Sequence, residues 1–145
     1  MLTFDIVIIL RKPNATEFQQ IVFFIEEFQL DNRDLLEHQF TAAFIEDNLV
    51  GFGRVREHTD CSEICSLGTL VEFRKRGVCK MIVQNLIKIN PTNLFLVCII
   101  PDYFKPFGFE IVNEYPDAIQ DKKKYCTHEL VVPEDYFVLK KTANA

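Results

Sequence analysis

The residues best suited to chemistry lie between Leu67 and Lys80, in the run Leu-Gly-Thr-Leu-Val-Glu-Phe-Arg-Lys-Arg-Gly-Val-Cys-Lys. An apolar strand runs into a basic turn containing Gly77, and an amphipathic helix follows through Ile89. The turn's backbone N–H groups and the start of the helix converge on one point, where the helix dipole favours negative charge. Arg74, Lys75, Arg76 and Lys80 add positive side chains around it, and Gly77, Val78 and Cys79 are small enough to leave the backbone open. The pattern predicts an anion cradle. The bland alternative is an exposed basic turn that opens a surface helix. The whole chain carries a formal net charge of −5, so this local cationic knot points to one small anionic ligand.

A second set of residues invites a metal. His58-x-x-Cys61-x-x-x-Cys65 and Cys126-x-His128 bring thiols and imidazoles close in sequence. A zinc site needs four tetrahedral ligands, and these spacings match no finger or ribbon. No metal is expected, and the thiols read as small hydrophobes. Five cysteines without framework spacing fit a reducing compartment, so a cytoplasmic setting is expected. No apolar run reaches the ~18 residues that span a bilayer, and the opening run, with Asp5, does not read as a signal peptide. Neither a membrane nor a nucleic acid is an expected partner, since phosphate-backbone binding draws on a basic surface.

The elements that must hold the cradle follow from periodicity. The 145 residues, 48% hydrophobic and 26% charged, suit one domain over 1–145. Phe4 to Leu10 predicts a strand. Asn14 or Thr16 caps a helix carrying Phe18, Ile21, Val22, Ile25 and Phe28 at helical spacing. Asp31 to His38 is a short helix or an ordered loop. Phe40–Ile45, Leu49–Arg56 and Glu63–Val71 form a meander, and a helix runs from about Arg76 to Ile89, stopped by Asn90-Pro91. Leu94–Ile100 is a buried strand, Pro101–Phe107 a short helix stopped by Gly108, and Phe109–Val112 a strand. Tyr115–Lys124 is a polar excursion, with Lys122 to Lys124 a solvated charge run. Cys126–Val132 is the last strand, and Lys140–Ala145 a frayed tail. The expected fold is α+β: a single mixed, mostly antiparallel twisted sheet flanked by helices. The helix after Val71 joins its one parallel pair.

Three features resemble the GNAT superfamily of acetyl-coenzyme A-dependent N-acetyltransferases. Arg74-x-x-Gly77-x-Cys79 is similar to the pyrophosphate signature Gln/Arg-x-x-Gly-x-Gly/Ala. Leu94–Cys98 is similar to the strand after the signature helix. Tyr103-Phe-Lys-Pro-Phe-Gly-Phe109 resembles Phe-Tyr-x-x-x-Gly-Phe. Leu49-Val-Gly-Phe-Gly53 fits the hairpin strand before the meander. The tail from Gly108, with Tyr115–Ile119, Lys122 and Cys126, leans toward the amino-acid N-acetyltransferase branch, similar to N-acetylglutamate synthase.

The resemblance implies acetyl-coenzyme A as co-substrate and a primary amine of a small molecule, such as an amino acid, as acceptor. A polyamine or a protein lysine would use the same chemistry. It implies that Leu70 and Val71 pair by backbone with the pantetheine arm, and that N–H groups of Arg76 to Lys80 hold the pyrophosphate. Glu63 would be the general base, with Glu57 and His58 as substitutes; its bland reading is a solvated charge. A tyrosine often protonates the leaving thiolate, but the aligned residue is Phe104, which is expected among the coenzyme-binding residues. Either Tyr103 serves, or another group or solvent does, or the protein binds the coenzyme with poor catalysis. Asp31–His38 and the segment after Val112 would line the acceptor pocket. A homodimer through the last strands would complete that pocket.

Overall fold

The computed structural model describes residues 7–130 and 134–143. Seven strands form one mixed sheet in the order β1-β2-β3-β4-β5-β7-β6. They are β1 (Ile9–Arg11), β2 (Phe40–Ile45), β3 (Asn48–Glu57), β4 (Ser62–Thr69), β5 (Leu94–Cys98), β6 (Glu110–Ile111) and β7 (Phe137–Lys141). Among the described residues only the β4–β5 pair is parallel, and α2 (Val78–Ile89) makes that crossover. The other helices are α1 (Ala15–Glu27), α3 (Pro101–Phe104) and α4 (Asp117–Glu129).

The helices lie on both faces. On one, Val78, Ile82, Val83 and Leu86 of α2 pack with Val50, Val55, Ile64, Leu94 and Leu96, joined by Phe104 of α3. A methyl on Gly53 would come within 2.5 Å of Leu67 and 3.0 Å of Ile82, so glycine lets this helix sit low on the sheet. On the other face, Ile21 and Ile25 of α1 meet Phe40, Phe44 and Phe52, and Ile119 of α4 meets Phe95 and Val138. Asn14 starts α1 through a capping box with Glu17, which satisfies two of the helix's orphan N–H groups.

The sheet, its meander and its single parallel pair follow the sequence expectation. Several boundaries differ. The Phe4–Leu10 strand lies partly outside the described residues, and its described part is Ile9–Arg11. Asp31–His38 is mostly irregular, with one 3-10 turn at Glu37–Gln39. Arg76 precedes the signature helix, because Gly77 takes φ +83° and the helix starts at Val78.

The C-terminal expectations need larger corrections. Tyr115–Lys124 is not a polar excursion, and Cys126 is not in a strand. Asp117–Glu129 is a helix, with Ile119, Lys122 and Cys126 on its buried face. Residues 131–133 of the expected strand lie outside the described residues. The last strand is Phe137–Lys141, so Lys140 and Lys141 are sheet, not tail. The apolar run Phe137-Val138-Leu139 inserts β7 between β5 and β6, where Leu139 is fully buried.

Candidate active site

The sheet forks at Glu63. Parallel pairing between β4 and β5 covers only Ser62 with Leu94 and Glu63 with Phe95. Beyond Glu63, β4 continues beside β3 to Thr69 while β5 continues beside β7 to Cys98, so the edge of β4 facing β5 is unpaired from Ile64 onward. Unpaired strand edges offer N–H and C=O groups to any extended partner. The fork is sharpened by a bulge. Phe52 pairs with Gly68 but Arg54 with Cys65, which leaves Ser66 and Leu67 opposite Gly53. Ser66 has φ +54°, unusual for a residue with a side chain. Its hydroxyl donates to Asp31 O at 2.7 Å and accepts from Arg54 Nε at 3.0 Å, which holds the bulge.

The cradle lies at the open end. A 3-10 turn over Val71–Phe73 leads into Arg74, then Lys75 at φ +63° and Gly77 at φ +83°. Alternating left-handed residues turn successive N–H groups to one side, a concave arrangement of the kind that suits an anion. Among the described residues no side chain caps α2, so its first N–H groups remain open, and none lies within 4 Å of where a Gly77 Cβ would stand. Arg74 folds back, donating from Nε to Thr69 O at 3.0 Å, with its guanidinium 5.2 Å from the Phe28 ring centre. Arg76 lies 5.6 Å from Phe73. Lys75 and Lys80 are exposed.

Cys79 and Tyr103 meet at the first turn of α2. The Tyr103 hydroxyl faces the Cys79 sulfur; burial and then this neighbour push the phenol above its ordinary range, and burial also raises the Cys79 thiol. Phe104 is 5% exposed and belongs to the core under α2, so its side chain supports the cradle from below and does not line it.

On the opposite face a buried ionic cluster fills the gap between α1 and α4. Glu63 is fully buried, its Oε1 2.8 Å from His58 Nε2 and its Oε2 3.0 Å from Lys122 Nζ. Lys122 also donates to Asp31 Oδ2 at 2.8 Å, and Arg33 pairs with Asp31 at 2.9 Å. Arg56, opposite Glu63 in the ladder, pairs with Asp34. Arg54, fully buried, gathers the carbonyls of Asp31, Arg33 and Asp34 and the Gln39 side chain. It thereby ties the 31–39 loop to the bulge.

These charges hold one another ionised. Burial pushes the Glu63 carboxyl up, but the His58 hydrogen bond and the Lys122 ammonium outweigh it, and the net shift is downward. For Asp31, Arg33 and Lys122 likewise outweigh burial and hold the carboxyl well below its usual range. Burial lowers Lys122, yet the surrounding anionic groups raise it overall. Asp31, Glu63 and Cys65 bring ligand-type atoms within 4.8 Å of one another. The Lys122 ammonium donates to Asp31 and ion-pairs with Glu63, supplying a positive charge among these groups.

The family model "Acetyltransferase (GNAT) family" matches residues 6–109. The chain belongs to the GNAT acetyltransferase family. No curated protein sequence matches it. Among solved structures, it is similar to N-acetylglutamate synthase from Neisseria gonorrhoeae, complexed with coenzyme A and N-acetyl-glutamate, at 17% identity and TM-score 0.75. That match covers 98% of this chain but 36% of the synthase, so the chain spans about a third of that protein. It is similar to Rv2747 from Mycobacterium tuberculosis, in complex with CoA and NLQ, at 14% identity and TM-score 0.73, covering 94% and 99% of the two chains. A third neighbour is Arabidopsis thaliana Naa50 with the bisubstrate analogue CoA-Ac-MVNAL, at 16% identity and TM-score 0.65, covering 93% and 98%. At these identities the likeness is one of fold.

Within this GNAT fold the sequence-derived residues fall into two groups. Leu70, Val71, Arg74, Lys75, Arg76, Gly77, Val78, Cys79 and Lys80 form the continuous strand-end and cradle, with Tyr103 against it. Glu63 stands at the fork, buried, not solvated. Sequence reading missed Asp31, Arg54 and Lys122. Lys122 is a correction, since it is 4% exposed and paired twice, not part of a solvated run. A signal existed: Ile119, Lys122 and Cys126 recur at i, i+3 and i+7, one face of a helix.

Proposed function

We propose that this protein transfers the acetyl group of acetyl-coenzyme A to a primary amine of a small molecule, with an amino acid as the favoured acceptor class. The observation that carries the reading is the fork at Glu63, which leads from an unpaired β4 edge to an uncapped, cationic helix start. An extended pantetheine arm suits the first, and a pyrophosphate suits the second. The fork end would then hold the thioester. A neutral amine attacks its carbonyl, the C–N bond forms, the C–S bond breaks, and the amine's proton leaves to a base linked to Glu63. Tyr103, a phenol protonated at neutral pH and partly exposed beside the cradle, is the group we assign to return a proton to the thiolate.

The acceptor class draws on the neighbours. The Neisseria synthase is seen with N-acetyl-glutamate and the Arabidopsis protein with a peptide-bearing bisubstrate analogue. Both fit an α-amine acceptor. Calorimetric titration with acetyl-coenzyme A, followed by thiol release with amino acids, spermidine and a short peptide, tests the reading. Absence of binding at millimolar coenzyme would sink it. Binding without release on any amine would favour an acyl-coenzyme A-binding module, the reading that Cys79 in the signature and Phe104 at the tyrosine position motivate.

A further inference from the structure

We propose that His58, not Glu63, takes the proton from the attacking amine, and that Glu63 and Lys122 are positioning residues behind it. This rests on the N-acetyltransferase reading above. Glu63 has no exposed surface, one oxygen is held by His58, and the other is 3.0 Å from an ammonium. A general base must come within hydrogen-bond reach of the proton it removes, directly or through one water. Of the three side chains in line, Lys122 is 5% exposed, Glu63 0% and His58 15%. Of the three, the imidazole is the most exposed.

The contact itself chooses the tautomer. Glu63 is ionised and can only accept, so His58 Nε2 carries the hydrogen and donates it. That leaves Nδ1 with a free lone pair, and among the described residues Nδ1 has no hydrogen-bond partner. When Nδ1 takes a proton, the new imidazolium faces a buried carboxylate at 2.8 Å, which stabilises it at the moment it forms. Lys122 keeps that carboxylate ionised and fixed, because its ammonium also grips Asp31. The position also fits. Glu63 pairs with Phe95 at the last rung before the fork, and His58 closes the preceding turn through its N–H to Cys61 O at 2.8 Å. An amine approaching a thioester held at the fork would meet the imidazole beside it.

Other charged and titratable groups bear on this pair from each neighbouring element. Arg56 comes from β3; Lys122 and Cys126 from α4; Asp31, Arg33 and Asp34 from the loop after α1. Asp60 and Cys61 lie in the turn, and Cys65 on β4 itself. Asp31 and Asp34 are engaged with guanidinium and ammonium groups, and Asp60 neighbours the Cys61 thiol.

The test uses full-length wild type, His58→Ala, His58→Gln and Lys122→Met, with acetyl-coenzyme A and three probe amines: L-glutamate, spermidine and the peptide Met-Val-Asn-Ala-Leu. Thiol release gives the rate and calorimetry gives coenzyme affinity. For the best wild-type amine, His58→Gln should lower kcat by about 100-fold at neutral pH, the low end expected for a lost general base. The KM for acetyl-coenzyme A should stay within about twofold. His58→Ala should recover rate on addition of imidazole, and the acid limb of kcat/KM should vanish in both His58 variants. Lys122→Met should keep an acid limb but move it, as expected of a residue acting through another. Retention of kcat within about threefold in His58→Gln overturns the proposal, as does loss of kcat with the acid limb intact and no imidazole rescue. If His58→Ala does not fold, the His58→Gln profile decides alone. No release by wild type with any probe overturns the functional reading itself.

Discussion

Lys122 Nζ donates to Asp31 Oδ2 at 2.8 Å across 91 residues of sequence, and the same ammonium lies 3.0 Å from Glu63. One side chain on the last helix thus joins the loop after the first helix to the strand at the fork. Buried ion pairs add little net stability as pairs, but removing one partner strands the others. That asymmetry governs what substitutions here should do.

Lys122→Met should destabilise the protein by about 3–5 kcal/mol, because two buried carboxylates lose their shared cation. Urea unfolding followed by circular dichroism measures it. A loss under about 1 kcal/mol would mean that Arg33 and Arg56 already compensate Asp31, and His58 already compensates Glu63.

The same cluster sets a pH dependence. Asp31 and Glu63 are held below their ordinary range in the folded state. Their contribution is therefore present above about pH 4 and is lost as pH falls through their folded values. Lys122 is raised, so its contribution is present below its ordinary range near pH 10.4 and is lost only as pH rises through its folded value. Unfolding midpoints should fall below about pH 4 and stay level through neutrality. Lys122→Met should flatten the acid fall, since Glu63 and Asp31 would no longer be held as low.

Gly77→Val should weaken acetyl-coenzyme A binding at least tenfold. Gly77 sits at φ +83°, which costs a side-chain-bearing residue about 1–2 kcal/mol. The added atoms would also enter the empty side of the cradle. Calorimetry reads the affinity, and the circular dichroism spectrum should not change.

Tyr103→Phe should lower kcat by about 100-fold with little change in KM for acetyl-coenzyme A, if the phenol returns the proton. The variant keeps the ring contacts with Phe104 and Phe107, so folding should be spared. A raised KM with unchanged kcat would instead make Tyr103 a coenzyme contact.

Asn14→Ala should cost about 1 kcal/mol, the usual value of a lost helix cap. It removes the acceptor for Glu17 N–H at 2.8 Å, while Arg11 still holds Glu17 at 2.7 Å. Urea unfolding reads it, and acetyl-coenzyme A affinity should not move.

The sequence by itself determined the features whose cause is local. Gly77 after a basic turn, with apolar positions at helical spacing beyond it, requires the α2 start wherever the chain folds. Strand-forming runs and the turns between them from Phe40 to Thr69 indicated the meander, and Gly108 stopped its helix at φ +98°. Each is decided by backbone sterics or by neighbours a few residues away. Tertiary structure alone decided the ionic cluster, because a charge is solvated or buried according to what packs on it. Lys122 sits in a run of three lysines and reads as surface; only the docking of α4 over Phe95 and Val138 carries it inward to Asp31 and Glu63. The same holds for β7. Its two lysines resemble a tail until β5 and β6 supply hydrogen-bond partners on both sides. The basic turn and helix start were legible because their residues are consecutive. The contacts among His58, Glu63 and Lys122 were not, because these residues become neighbours only when strand, turn and last helix close on one another.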